Sequence, residues 1–201
     1  MNRRKPKMTR KQRKLIFIST EGKNKTEENY FSQFNRVQKE YHINFAKGDD
    51  TDAKRMTVAL EKAMQEGGYN SESGDLAFCV IDVDNDEGKS GSINGLKGDG
   101  ANRDIIYITS NPCFEYWFLL HFTYTTKQFM SGKELEKELR KHLPEYRKNK
   151  GIFEKVYPHT RVALENSKKS DRFHEKSSLV DRNLFNPSTN VSEIIRLLWK
   201  E

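Results

Sequence analysis

An apolar run that ends abruptly in carboxylates decides how the rest of the chain is interpreted: Cys79-Val80-Ile81-Asp82-Val83-Asp84-Asn85-Asp86. The run begins at Leu76, and its continuous apolar character over residues 76–81 predicts a buried strand. In an extended chain Asp82 and Asp84 project from the same face, about 6.6–6.8 Å apart along the strand. Two carboxylates on one face repel each other unless a cation or a basic group lies between them. The alternative interpretation is a solvated turn, because Asp and Asn favour turns.

The chain has 201 residues, of which 34% are hydrophobic and 32% are charged. This size predicts a single domain over residues 15–201, with an α/β core at 15–125 and a helical extension at 126–201 packed on it. No apolar stretch is long enough to span a bilayer, and the basic start is not followed by the apolar segment of a secretory signal. The two cysteines, Cys79 and Cys113, show neither a disulfide framework nor metal-ligand spacing. We therefore expect a cytoplasmic protein with reduced thiols and no membrane association.

The net charge of +7 is concentrated at the start of the chain. Residues 1–14 contain eight Lys and Arg residues and no acid, whereas the other 28 basic residues are balanced by 29 acidic ones. We predict a flexible basic arm at 1–14 that binds phosphate backbones without sequence preference, with Arg3 and Arg4 among the substrate-binding residues. A disordered solubilising extension is an equal alternative.

Apolar runs alternate with helical patterns along the first half of the chain. Strands are predicted at 15–18, 41–45, 76–81 and 105–108, and helices at 26–39 and 52–65. Thr26 and Asp52 are the predicted N-caps of the two helices. This alternation predicts an α/β fold with a mostly parallel four-stranded sheet flanked by helices.

The remaining segments are predicted from their composition and end signals. Residues 87–102 contain five glycines and no apolar pattern, which predicts a mobile loop. Charged helices are predicted at 131–141 and 151–168. A last helix follows Asn190, which together with Glu193 three residues later resembles a capping box.

Residues 109–122 form an almost uniformly apolar helical pattern that contains one acid. Pro112 fits the first helical position, with Asn111 as the N-cap. Glu115 lies in the middle of this pattern, where an unpaired buried carboxylate would be expensive. A metal-binding or active-site role is favoured, and the alternatives are a basic partner or the helix dipole. His121 is predicted to be a buried structural histidine rather than a catalyst.

Polar side chains follow three of the predicted strands. Glu21 follows the first strand, Asp82 and Asp84 follow the third, and Asn111 and Glu115 follow the fourth. In an open α/β sheet, ligands bind beyond the carboxyl ends of the strands, so these side chains are expected to converge. Hard oxygen ligands of this type suit Mg²⁺ or Mn²⁺.

A metal held there would activate a water molecule and neutralise charge on a phosphodiester. Such a site needs a basic group nearby. Lys23 or Lys25, in the loop after the first strand, is the candidate. A P-loop ATPase is excluded because Gly22-Lys23-Asn24-Lys25-Thr26 lacks the upstream glycine and the spacing of that motif.

Four blocks of the sequence, in this order and spanning about residues 15–200, resemble the RloB-like family. They are Glu-Gly-Lys-Asn-Lys-Thr-Glu-Glu-Asn-Tyr-Phe at 21–31, Asp-Val-Asp at 82–84, Ser-Asn-Pro-Cys-Phe-Glu at 110–115 with Leu-Leu-His-Phe at 119–122, and Asn-Pro-Ser-Thr-Asn-Val at 186–191. The family resembles TOPRIM-fold proteins. The resemblance implies that Glu21 is the general acid/base or a metal ligand and that Asp82 and Asp84 are metal ligands.

The family is associated with prokaryotic abortive infection and anti-phage defence, often beside an ABC-type ATPase partner. The leading hypothesis is therefore a Mg²⁺-dependent TOPRIM-type endonuclease that cleaves DNA or RNA, with tRNA as one candidate substrate. Its predicted catalytic residues are Glu21, Asp82, Asp84, Glu115 and Lys25, with Lys23, Asn111, Arg3 and Arg4 binding substrate. The alternative is a non-catalytic recognition or regulatory module that binds a protein or nucleic acid. A homo-oligomer is compatible with either hypothesis.

Overall fold

The computed structural model describes residues 13–22, 25–100 and 103–200. The strands are β1 (Lys14–Thr20), β2 (Tyr41–Phe45), β3 (Leu76–Asp82), β4 (Ile105–Asn111) and β5 (Ser188–Thr189). The helices are α1 (Thr26–Ser32), α2 (Phe34–Val37), α3 (Ala53–Gly67), α4 (Glu87–Gly98), α5 (Glu115–Leu120), α6 (Gly132–Leu139), α7 (Phe153–Val156), α8 (Thr160–His174) and α9 (Val191–Leu198). Short 3₁₀ turns lie at Ser71–Ser73, Tyr157–His159 and Arg182–Leu184.

The strands form one sheet in the order β2-β1-β3-β4-β5. The first four strands are parallel, as predicted, and β5 pairs antiparallel with the end of β4. The prediction of four strands is therefore wrong by one. β5 contains two residues, too few to show an alternating pattern, and it exists because Thr189 and Ser188 pair with Ser110 and Asn111.

The sheet is buried on both faces, which explains why its strands are continuous apolar runs. Ile16 and Ile18 point into one core, which also contains the apolar residues of α1, α5, α6, α8 and α9. Phe17 points to the other side, where it packs with residues of α3 and α4. The division of residues 15–201 into an α/β core and a helical extension stays a prediction, although helices from both parts share the first of these cores.

The segment predicted as a mobile loop at 87–102 is mostly helical, and that prediction is wrong. Residues 87–98 form α4, whose N-cap Asp86 accepts a hydrogen bond from the Lys89 N–H. Ile93 is fully buried, and the Ser90 hydroxyl donates to Asp181 at 2.7 Å. Tertiary contacts therefore hold a glycine-rich helix that local propensity does not favour.

Other predicted helix boundaries also differ. The helix predicted at 151–168 is divided into α7, a 3₁₀ turn and α8, which continues to His174. The helix predicted at 26–39 is two short helices, and Thr26 is its first helical residue, preceded by Lys25 at φ +51°. Asn111 is the last residue of β4 rather than an N-cap, because α5 begins at Glu115. The Asn190 side chain makes no capping bond, whereas Asp52 caps α3 through the Arg55 N–H.

The outer edge of β2 is closed by side chains. Asn35 accepts from the Ile43 N–H at 2.8 Å and donates to the Ile43 carbonyl at 3.0 Å. Gln38 forms the same pair of bonds with Tyr41, at 2.9 Å each. These amides occupy backbone groups that an exposed edge strand would offer to another chain. No helix in the described part of the chain is long and apolar enough to cross a membrane.

We expect Asn35→Ala to lower the free energy of unfolding by about 1–3 kcal/mol, because it leaves a half-buried N–H and C=O of β2 without partners. Urea denaturation at neutral pH measures the change. Asn29→Ala is the matched control, since among the described residues the Asn29 side-chain amide makes one long hydrogen bond, at 3.5 Å, to the Asn149 carbonyl. Equal stabilities of the two variants would contradict the prediction.

Candidate metal centre

A cavity of about 110 Å³ lies beyond the carboxyl ends of β1 and β3. Four carboxylates from separate elements line it: Glu21 after β1, Glu27 in α1, Asp82 at the end of β3 and Glu115 at the start of α5. The other lining residues are Gly22, Thr26, Thr51 and Lys148. The structure thus brings together three of the acids singled out in the sequence and adds Glu27.

Two backbone hydrogen bonds fix the carboxylates of the strand ends. The Asp82 N–H donates to Glu21 Oε1 at 3.1 Å, which ties the end of β3 to the residue after β1. Asp82 Oδ1 in turn accepts from the Phe114 N–H at 2.8 Å. Gly22 follows Glu21 in the left-handed region, at φ +66°, and its N–H donates to the Asp50 carbonyl. A side chain at Gly22 would strain this turn.

Asp84 does not line the cavity. The alternation expected from an extended chain ends at Asp82, because Asp84 and Asn85 both have left-handed φ values, +57° and +59°. The Asp84 side chain is 57% exposed, and Oδ2 lies 3.0 Å from Lys89 Nζ. The same ammonium lies 2.7 Å from Glu21 Oε1. Lys89 therefore joins Asp84 to the edge of the cavity.

Glu115 is 2% exposed, yet its charge is compensated. Glu115 Oε1 accepts from the Tyr146 hydroxyl at 2.8 Å and lies 3.5 Å from Lys148 Nζ. Lys148 also lies 3.4 Å from Glu136 Oε1. Burial is the largest single influence on Lys148 and lowers its pKa, but Glu115, Cys113, Glu136 and Asp82 together outweigh burial. The pKa of Lys148 is therefore raised, and the side chain stays an ammonium. The segment after α6 thus supplies a cation to the cavity.

The excess of negative charge raises the proton affinity of the cavity. Burial raises the pKa of Asp82 well above its usual range, and Glu27, Glu21 and Glu115 raise it further. Burial likewise raises the pKa of Glu21, although Lys89 opposes the shift, and raises that of Glu27 to about 7. A bound divalent cation would reverse these shifts by favouring the ionised forms.

A metal ion fits the donor set of the cavity. Carboxylates are the hard oxygen ligands that Mg²⁺ and Mn²⁺ take in proteins. Thr26 is 8% exposed and lines the cavity, and its hydroxyl has no hydrogen-bond partner within the described ranges. A buried polar atom without a partner indicates a missing ligand or water. Asp82, Cys113 and Glu115 also each offer a ligand atom within 4.8 Å of the others.

Two further predicted site residues, Lys25 and Asn111, do not line the cavity. Lys25 is exposed and pairs with Glu28 at 3.5 Å. Asn111 supports the turn after β3, where its Oδ1 accepts from the Asn85 N–H at 2.9 Å. Lys23, Arg3 and Arg4 lie outside the described residues, together with most of the predicted arm.

His121 is buried away from the cavity, at 2% exposure. Nδ1 lies 2.9 Å from the Trp117 carbonyl oxygen, and Nε2 has no partner in the described part of the chain. Burial lowers the pKa of His121 to about 4, so the ring is neutral at pH 7.

Four contributors to the site were not predicted: Glu27, Lys89, Tyr146 and Lys148. Glu27 is next to Glu28 in the first turn of α1, and the sequence does not indicate which of these two adjacent acids is buried. Lys89 could be placed only once α4 was known. Lys148 lies in a charge-rich stretch, where no sequence signal separates it from the neighbouring Arg147 and Lys150.

A family model described as RloB-like protein matches residues 16–198, nearly the whole chain. The chain belongs to the RloB-like family. Membership predicted from the four sequence blocks is thereby confirmed. No match was found among curated proteins or among solved structures. The acids that line the cavity of this RloB-like protein belong to three of those blocks, residues 21–31, 82–84 and 110–115.

We expect Glu27→Gln to stabilise the metal-free protein more at pH 8 than at pH 5. The folded-state pKa of about 7 lies above the ordinary value of 4.5, so wild-type stability falls as the pH rises from 4.5 to 7. Glutamine cannot ionise and avoids this loss, which is on the order of 3 kcal/mol in full. Thermal unfolding in the presence of a chelator measures the difference. Glu28→Gln is the control, and a pH-independent difference between Glu27→Gln and wild type would refute the prediction.

Proposed function

We propose that this RloB-like protein is a Mg²⁺- or Mn²⁺-dependent endonuclease that cleaves phosphodiester bonds in DNA or RNA. The observation that supports the proposal is the cavity in which Glu21, Glu27, Asp82 and Glu115 meet. Lys148 is the only cation among its described lining residues. Four carboxylates in one cavity repel one another unless protons or a bound cation compensate their charge.

The metal would be held by Asp82 and Glu115, with Glu27 and the Thr26 hydroxyl beside them, while Glu21 acts as the general base. When bound, it would supply an activated water molecule and neutralise charge on the scissile phosphate. Asp84 is tied to Glu21 through Lys89. Asp84 remains a proposed metal ligand, and its carboxylate would have to give up its contact with Lys89 to bind the metal.

Glu21 is the proposed proton acceptor. Its Oε1 is engaged by Lys89 and by the Asp82 N–H. Its Oε2 has no hydrogen bond to the described residues and can take the proton of an attacking water.

The biological setting is proposed from the family resemblance. The protein would act in the cytoplasm, in an anti-phage or abortive-infection system, under the control of an ABC-type ATPase partner. The basic residues at the start of the chain would contribute affinity for nucleic acid that weakens as salt rises.

The alternative, a non-catalytic recognition module, is favoured by one observation. Lys89 lies between Glu21 and Asp84 and compensates both without a metal. A module that uses Lys89 in this way would keep the fold and dispense with the ion.

We expect purified protein with Mg²⁺ or Mn²⁺ to cleave nucleic acid when mixed DNA and tRNA are supplied, and Glu21→Gln to abolish the cleavage. Gel analysis of end-labelled substrates measures it, with and without the ATPase partner. Calorimetry provides the second arm, because Asp82→Asn should lose the divalent-cation binding of wild type. Absence of cleavage with the partner present would count against the nuclease. Identical calorimetric traces for Asp82→Asn and wild type would favour the non-catalytic module.

We expect Lys148→Ala to lower kcat about 10²-fold, the effect of removing one group that stabilises developing charge. Lys148 is the cavity cation that can contact a substrate phosphate, since its side chain is 36% exposed. Metal affinity should be retained or increased, because a competing cation is gone. Lys150→Ala removes the same charge two residues away and should leave kcat within about twofold. An unchanged kcat in Lys148→Ala would exclude this role.

A further inference from the structure

Cys113 places a thiol beside two carboxylates of the cavity. It is 2% exposed and lies between the end of β4 and the start of α5. The sulfur and one oxygen each from Asp82 and Glu115 all lie within 4.8 Å of one another. Within the described residues this is the one group of His, Cys, Asp and Glu side chains with such spacing.

Each of the two carboxylates has an oxygen to offer. Asp82 accepts the Phe114 N–H through Oδ1, and Glu115 accepts the Tyr146 hydroxyl through Oε1. No described residue hydrogen-bonds to Asp82 Oδ2, and the Cys113 thiol is a further donor to Glu115. A coordinated thiolate carries no proton, so the bond from Cys113 is given up when a cation binds, and each carboxylate then has an oxygen for the cation.

The second cysteine shows what a purely structural thiol looks like in this protein. Cys79 is fully buried in the apolar core between the sheet and α3, and it does not belong to the group formed by Asp82, Cys113 and Glu115. Cys113 instead approaches Gly132 so closely that a Cβ there would lie 3.1 Å from its sulfur. The absence of a side chain at Gly132 leaves room for Cys113 next to the carboxylates.

An independent observation points to a ligand beside Asp82 and Glu115. Thr26 lines the same cavity as Asp82 and Glu115, is more than nine-tenths buried, and has no partner for its hydroxyl within the described ranges. A water molecule or substrate oxygen on a bound cation would provide that partner.

We propose that Asp82, Cys113 and Glu115 form a mixed oxygen–sulfur site for a borderline-soft divalent cation, Zn²⁺ or its analogue Co²⁺. Oxygen-only sites suit Mg²⁺ and Mn²⁺, whereas a thiolate selects for softer ions. Three protein ligands leave the fourth tetrahedral position open, as in catalytic zinc sites. The inference rests on the proposed function to the extent that it uses the same carboxylates, and it extends that function by naming the ion that this sub-site accepts.

The geometry requires a small adjustment. With metal–sulfur and metal–oxygen bonds of about 2.3 and 2.1 Å, tetrahedral ligand atoms lie about 3.6 Å apart. The separations between the three ligand atoms, which are at most 4.8 Å, would therefore have to shorten by about 1 Å when the metal binds. On coordination the S–H bond breaks, the sulfur electron pair forms the bond to the metal, and the proton passes to solvent, so binding tightens as the pH rises.

The test uses the full-length reduced protein titrated with Co²⁺ alone, in the absence of nucleic acid. A sulfur-to-cobalt charge-transfer band in the near ultraviolet reports a thiolate ligand. We expect the band in wild type and in Cys79→Ser, and we expect Cys113→Ser to lack it. Competition should show that Zn²⁺ displaces Co²⁺. Cys113→Ser should lower Zn²⁺ affinity at least about 10-fold and change Mn²⁺ affinity little.

A second variant guards against a folding defect in Cys113→Ser. Glu115→Gln keeps the thiol, and it should retain the band but require at least about 10-fold more Co²⁺ to develop it. The proposal is overturned if wild type shows no band, or if the band is lost in Cys79→Ser and persists in Cys113→Ser. Cleavage with Mg²⁺ but no cobalt band would overturn this inference alone. A band without cleavage under any condition would overturn the proposed nuclease and leave the metal site standing.

Discussion

The structure depends on the burial of more carboxylates than cations at one edge of the sheet. Four acids line a cavity of about 110 Å³, while Lys148 lines it with them and Lys89 contacts Glu21 from one side. Burial and mutual repulsion both favour protonation, as the raised pKa values of Asp82 and Glu27 show. Apolar side chains of similar volume at these positions would often make a protein equally or more stable. The proposed function accounts for this charge, because a bound cation would compensate it.

The turn after β3 is held by bonds that do not involve the carboxylates lining the cavity. After β3, the Val83 N–H donates to the Ser110 carbonyl and the Asp84 N–H donates to the Pro112 carbonyl. Asn186, in the fourth sequence block, donates to Asn85 Oδ1 at 2.6 Å. This block therefore stabilises the turn after Asp82 through Asn85, and Asn186 does not line the cavity. The contact joins two side-chain amides, and the sequence motif does not indicate which residue Asn186 contacts.

The sequence predicted those parts of the fold that arise from local patterns. Continuous apolar runs identified four strands, because a sheet covered on both faces buries every residue of a strand. Their parallel order then implied that Glu21, Asp82 and Glu115 lie at one edge. The helix α4 was missed because its stability comes from Ile93 and Ser90 in tertiary contact, against the preference of its glycines. Strand β5 was missed because two residues carry no periodicity.

The carboxylates and the cation of the cavity are positioned by different parts of the chain. Strand ends and the first turns of α1 and α5 place the acids, so hydrophobic patterning was enough to bring three of them together. Lys148 is placed instead by Glu136 of α6 and by its contact with Glu115, at 3.4 and 3.5 Å. One ammonium is thus shared between α6 and the cavity, and the distance from Lys148 to Glu115 depends on how α6 packs against α5. The charge balance of the site is for this reason a property of tertiary packing, which no motif in the sequence encodes.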